Sequence, residues 1–236
     1  MQDETALSVV LLDIEGTVSP ISFVHDVLFP YARERLGAFL ATHGQDADIA
    51  AALAELDDIT PGAQPVQTLH ALMDRDAKVG PLKLIQGRIW AQGFATGALT
   101  GRFYPDVAPA LRSWHAAGVA LAVYSSGSEQ AQRLLFGHTG EGDLTPLFSG
   151  FFDTKIGGKR EPASYAAIAR SLARQPAAIL FLSDVEAELA AAAGAGFKVC
   201  QVVRAEDGTV AAPVFPHASD LDAVAARFGL ARHPAR

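Results

Sequence analysis

The chain predicts an α/β fold: a parallel sheet core with a helical cap inserted after the first strand. Three observations lead there. Four runs, "VVLLDI" (9–14), "VALAVYSS" (119–126), "AAILFLSD" (177–184) and "KVCQVV" (198–203), are near-continuously apolar rather than alternating, the pattern of strands covered on both faces. Helical patterns separate the last three, and a βαβαβ rhythm calls for a parallel sheet with right-handed crossovers. The stretch from about residue 20 to about residue 103 breaks that rhythm, carries no convincing strand and reads as several helices.

Taken in order, the first strand buries Val9 to Leu12 and then stops on Asp13, Glu15, Gly16 and Thr17. An acidic pair at a strand tip repels itself and costs desolvation unless something positive sits beside it. "VLFPYARERLGAFLATH", "ADIAAALAEL", "PVQTLHALMDRDA" and "PLKLIQGRIWAQGFATG" follow as helices, with "TPGAQP" (60–65) a turn among them. The expected division is a core of residues 1–19 and 104–236 with a cap of residues 20–103. Phe23, Leu28 and Trp90 would suit an apolar substrate tail or equally the cap core, and the core is the preferred reading. The second core strand ends in "YSSGS", where Ser125, Ser126 and Gly127 lead into the helix "SEQAQRLLFGH" with Ser128 as N-cap and Leu134 and Leu135 on its apolar face. "FFDTKIGGKREPASY" sets Lys159 after two glycines and before a helix with Pro162 near its start and Tyr165, Ile168 and Leu172 at helical spacing. The third strand ends in Ser183 and Asp184, and the alanine-rich "VEAELAAAAGAG" favours a helix packed closely on a sheet.

Composition narrows the function. The 236 residues are half apolar and 19% charged, enough for one large core or a core with an appendage. A net charge of −7, with no basic run interleaved with aromatics, argues against nucleic acid or an anionic membrane as partner and leaves a small anionic ligand open. The single cysteine, Cys200, builds neither a disulfide framework nor a zinc site, and its apolar run marks it as a buried structural residue. The start "MQDETALS" is acidic and its apolar run is short for a signal sequence, and no apolar stretch is long enough to span a bilayer. A cytoplasmic location is expected. There is no internal repeat.

In a parallel sheet these strand tips face one side, which gathers Asp13, Glu15, Ser125, Ser126, Lys159 and Asp184 in one crevice. Phosphoryl transfer through an aspartyl phosphate needs such a set. A carboxylate attacks phosphorus only when the charge of both anions is neutralised. Asp13 and Asp184 suit Mg²⁺, a hard ion that keeps several waters. Ser125 or Ser126 and the amides after them suit phosphate oxygens at a helix N-terminus, Lys159 adds a positive charge, and Glu15 is placed to move a proton. Each motif alone has an ordinary reading as a turn, a helix cap or a solvated lysine. Their joint appearance at apolar strand ends does not. "GGKR" is not a P-loop, "YSSGS" is not a nucleophile elbow, and the histidines show no metal-ligand spacing. His25, near the cap entry, is open to a substrate role, though an ordinary residue is the preferred reading.

"DIEGT" (13–17) with these strand-end motifs resembles the haloacid-dehalogenase superfamily of phosphatases, whose usual first motif is Asp-x-Asp-x-Thr. Glu15 replaces the second Asp. With "SPISFV", "YSSGSEQAQRLLFGHT", "GFFDTKIGGK", "FLSDVEAELAAAAGAG" and "WAQGFATGALTGRFYPDV", the chain resembles one subfamily along its length, the enolase-phosphatases of methionine salvage. The resemblance implies a Rossmann-like core and a bifunctional reaction on 2,3-diketo-5-methylthiopentyl-1-phosphate, which is enolised and then dephosphorylated to an acireductone. It implies one Mg²⁺ held by Asp13, Asp184 and position 15 through side chain or carbonyl, phosphate bound by Ser125, Ser126 and Lys159, and a monomer. Glu15, the carboxylate not needed for metal or attack, is the expected enolisation base. The alternatives are a small sugar-phosphate phosphatase of the same fold, and a binding module that has lost the reaction. The presence of Asp13, Lys159 and Asp184 argues against the second.

Overall fold

A computed structural model describes residues 6–232. The acidic start at residues 1–5 lies outside them. The described residues cluster into two units, one of residues 6–21 and 101–232, the other of residues 22–100.

The first unit is built on six parallel strands: β1 (Val9–Leu12), β2 (Ala120–Tyr124), β3 (Phe148–Phe152), β4 (Ile179–Ser183), β5 (Lys198–Val202) and β6 (His217–Ala218). Their order across the sheet is β3-β2-β1-β4-β5-β6. The chain thus starts in the middle, winds out to one side, and returns across β1 to wind out the other way. The reversal falls between β1 and β4, and ligands of such sheets bind outside the carboxyl ends of the strands at that point. Leu12 pairs with Val123 on one side and Leu182 on the other, so β1 ends one residue before its two neighbours. The residue after Leu12 is Asp13.

Why these segments are strands follows from burial. All four residues of β1 are buried, as are all five of β4. Val9 and Leu11 face a core made with Tyr124, Tyr165, Ile168, Phe181, Leu189 and Phe197, while strand alternation turns the buried Val10 and Leu12 to the opposite face. Helices Glu129–Gly137, Pro162–Ser171 and Glu186–Gly194 occupy the crossovers read from the sequence. Ser128 caps the first of them, its hydroxyl accepting from the Ala131 N–H at 3.2 Å. Cys200 is fully buried in β5, where burial pushes its thiol up to about 11 and keeps it protonated.

Two strands and two helices are absent from the sequence reading. β3 carries Ser149 and Gly150 in its interior and is half-exposed at the sheet edge, so it shows neither an apolar run nor clean alternation. β6 has only two residues. Helices Val107–Ala116 and Leu221–Phe228 pack buried faces led by Leu111, Trp114, Leu221 and Val224.

The second unit is helical, as expected for this interval: Phe29–His43, Ala47–Ile59, Pro65–Asp74 and Gly80–Ala95 close on a core of Leu36, Phe39, Ile49, Leu56, Leu69 and Ile85. Phe23 and Leu28 are buried, and Trp90 is half-buried with its indole N–H donating to the Leu28 carbonyl at 2.8 Å. The sequence did not announce that the turn at Val24–Leu28 is wound as a π-helix. Replacing the cap residue in Ser128→Ala is expected to lower stability by about 1 kcal/mol, read from the denaturant midpoint at unchanged slope.

Candidate active site

Asp13 follows directly on β1. Its backbone N–H continues the ladder to the Leu182 carbonyl at 2.9 Å, which fixes the residue before any side chain acts. Its carboxylate is buried. Oδ1 accepts from the Ile14 N–H at 2.7 Å and lies 2.6 Å from Lys159 Nζ, and the Ser183 hydroxyl donates to Oδ2 at 3.1 Å. The same ammonium lies 2.6 Å from Glu188 Oε2, so Lys159 bridges two buried carboxylates. Burial works against the charged lysine, but Asp13 and Glu188 outweigh it and hold its pKa above the usual value. Burial, then Asp13, raises Glu188 to about 7, and the same two causes raise Asp184 to about 6.

Lys159 is delivered by a loop with a distinct construction. Three consecutive carbonyls each accept one side-chain hydroxyl: Gly157 from Tyr124 at 2.9 Å, Gly158 from Ser164 at 2.9 Å and Lys159 from Tyr165 at 2.7 Å. Gly157 sits at φ +136°, a conformation that side chains resist.

The segment after β1 is held as firmly. Gly16 has φ +70°, and a Cβ there would lie 2.5 Å from Asp184 Oδ2, so only glycine lets the loop close on that carboxylate. Thr17 Oγ1 accepts from the Asp184 N–H at 3.0 Å, and the Thr17 carbonyl accepts from Arg204 Nε at 3.0 Å. Arg204 is itself locked by a bidentate pair with Asp106 at 3.0 and 2.9 Å. At the end of β2 the Ser125 hydroxyl accepts from the Gly127 N–H at 3.2 Å, which tightens the turn while leaving the hydroxyl proton to donate. Gln132 donates to the Gly127 and Phe152 carbonyls at 2.9 and 2.8 Å, tying that turn to the tip of β3.

All six residues singled out in the sequence, Asp13, Glu15, Ser125, Ser126, Lys159 and Asp184, line one cavity of about 460 Å³, together with Arg160 and Glu188. Glu188, Arg204 and the hydroxyl set around the Lys159 loop escaped the sequence reading. Glu188 had a usable signal, because it follows Asp184 by four residues across the first turn of a helix, where a carboxylate is favoured. Arg204 and Tyr124 had none, since their partners are remote in the chain.

A cavity rich in carboxylates at the reversal point of a parallel α/β sheet is where such sheets bind ligands, and the comparison with known families gives the class of the chain. Residues 7–196 match the model for haloacid dehalogenase-like hydrolases. The chain is 71% identical over 224 residues to Enolase-phosphatase E1 of Acidiphilium cryptum, covering 95% of this chain and 97% of the relative. It is 55% identical over 225 residues to Enolase-phosphatase E1 of Gluconacetobacter diazotrophicus, with 95% and 96% covered. Among solved structures, the UTR4 protein (Unknown transcript 4 protein) of Saccharomyces cerevisiae superposes with a TM-score of 0.76 at 33% identity, over 91% of this chain and 98% of that one. The chain belongs to the enolase-phosphatase family of the haloacid dehalogenase-like hydrolases.

Gly16→Ala is expected to displace Asp184 and the loop after β1. Phosphate release should fall at least about a hundredfold while the far-ultraviolet dichroism is kept. A variant with near-normal turnover would show that the close approach is dispensable.

Proposed function

We propose that the protein enolises 2,3-diketo-5-methylthiopentyl-1-phosphate and then hydrolyses the enol phosphate to acireductone and phosphate, in methionine salvage. The observation that carries this reading is the Asp13 carboxylate held between Lys159 and Ser183, in one cavity with Glu15, Asp184, Ser125 and Ser126. The reading places the enzyme in the cytoplasm as a monomer acting on a small phosphate ester, with neither nucleic acid nor membrane as partner. The acidic balance of −7 fits that choice. Among the described residues no helix is long and apolar enough to cross a membrane.

The residues fit one Mg²⁺. No three His, Cys, Asp or Glu side chains are grouped to hold a metal among the described residues, but Mg²⁺ needs only one or two carboxylates and keeps waters. Asp13 and Asp184 supply hard oxygens, and a dication would offset both the burial and the repulsion by Asp13 that raise Asp184. They would hold the ion with the carbonyl of position 15, leaving the Glu15 side chain for proton transfer. When bound, the ion would supply positive charge against the anionic substrate.

The chain's own groups account for the remaining steps. Ser125, Ser126 and the following amides hold the phosphoryl oxygens at the N-terminus of helix Glu129–Gly137. Glu15 takes a proton from C1, the electron pair forms the C1–C2 double bond, and the C2 carbonyl oxygen gains a proton from solvent water. Asp13 then attacks phosphorus in line, and the bond from phosphorus to the C1 oxygen breaks as protonated Glu15 returns its proton to that oxygen. Water cleaves the phosphoaspartate to phosphate and free Asp13. Lys159, 2.6 Å from Asp13 Oδ1, offsets the charge of that carboxylate as the anionic ester approaches.

Ultraviolet absorbance for enol and acireductone, followed beside free phosphate, tests both halves. Asp13→Asn should form enol and release no phosphate, with a loss of at least about a thousandfold. Glu15→Gln should abolish enol formation while the protein still binds Mg²⁺ by calorimetry. Near-normal enol formation in Glu15→Gln would remove Glu15 from that role. Hydrolysis of a sugar-phosphate panel with no enol from the diketone would replace this reading by a sugar-phosphate phosphatase of the same fold.

A further inference from the structure

Charge in the cavity does not balance for an incoming phosphate. Five carboxylate side chains line it, those of Asp13, Glu15, Glu161, Asp184 and Glu188, against the cations of Lys159 and Arg160. Lys159 is committed, with its ammonium at 2.6 Å from both Asp13 and Glu188. Even with a bound dication, a phosphate monoester dianion meets an excess of negative charge. The remaining side-chain cation on the wall is Arg160, whose guanidinium makes no hydrogen bond or ion pair among the described residues.

Its backbone is fixed, whereas its side chain is not. Arg160 directly follows the three carbonyls held by Tyr124, Ser164 and Tyr165. A rigid stem carrying an uncommitted planar fork of donors is a preorganised anion grip, and a guanidinium matches two phosphoryl oxygens at once. The long side chain is exposed, so it can swing with the anion.

We propose that Arg160 binds the phosphoryl group of the substrate, as a second cation that takes the role Lys159 cannot fill alone. The choice of substrate rests on the enolase-phosphatase reading. The affinity for phosphate does not.

The test is calorimetric titration of the Mg²⁺-loaded protein with inorganic phosphate, beside KM and kcat for the diketone phosphate, in wild type, Arg160→Gln and Arg160→Lys. Arg160→Gln should weaken inorganic phosphate and raise KM by the same factor, about tenfold or more. Arg160→Lys should recover part of both, because charge is restored without the fork. Unchanged phosphate affinity in Arg160→Gln overturns the proposal, whether KM stays or rises alone, since a rise in KM alone would place the arginine on another part of the substrate. If the wild type fails to turn over the diketone while Arg160→Gln still loses phosphate, the functional reading fails and this assignment stands. Arg160 makes no contact that folding depends on, so all three proteins are expected to share one melting temperature.

Discussion

The site depends on one buried ammonium. Asp13 and Glu188 lie on different elements, and each would be costly to bury charged and alone. Lys159 at 2.6 Å from both converts two liabilities into one hydrogen-bonded cluster. The Ser183 hydroxyl, 3.1 Å from each carboxylate, closes the cluster from β4. A buried ion pair is weak evidence for stability, because desolvation offsets the Coulomb gain. Its use here is positional: the Asp13 carboxylate is held oriented and partly neutralised on the wall of the cavity.

Much of the remaining architecture serves that placement. The loop from Gly157 to Lys159 is bonded carbonyl by carbonyl to hydroxyls from β2 and the helix Pro162–Ser171, so the lysine arrives on a fixed stem. The segment after β1 is stitched from the far end of the chain: Arg204 holds the Thr17 carbonyl, Asp106 locks Arg204, and the Tyr104 hydroxyl with the Ile21 N–H binds Asp207. Asp184 is gripped on both sides, its N–H by Thr17 and its carbonyl by the Gln201 amide at 2.9 Å. The chemistry is concentrated in short segments, and the rigidity comes from residues far from them in sequence.

This division explains what could be read before the structure. β1, β2, β4 and β5 announce themselves because each is buried on both faces, and such strands are apolar throughout. The strand-end residues Asp13, Ser125, Ser126 and Asp184 are legible because a polar residue directly after such a run needs a reason. β3 and β6 are not legible, one because Ser149 and Gly150 interrupt it at an edge, the other because pairing with β5 alone defines it. Glu188 carried only the signal of its spacing from Asp184 in the first turn of a helix, and the helix pattern does not say that its face meets Lys159. Tyr124 and Tyr165 read as core residues, and they are; their hydroxyls' second role at the Lys159 loop follows from tertiary contact alone.

The most direct measurement of the central claim is a double-mutant cycle between Lys159 and Glu188, with unfolding free energies of wild type, Lys159→Met, Glu188→Met and the pair. If the ammonium holds buried carboxylates in place, Lys159→Met should lose about 3–5 kcal/mol, and adding Glu188→Met should return a good part of it by removing one orphaned charge. A double variant as unstable as the sum of the singles would contradict the claim. It would show Lys159 to be a bystander to the carboxylates it touches.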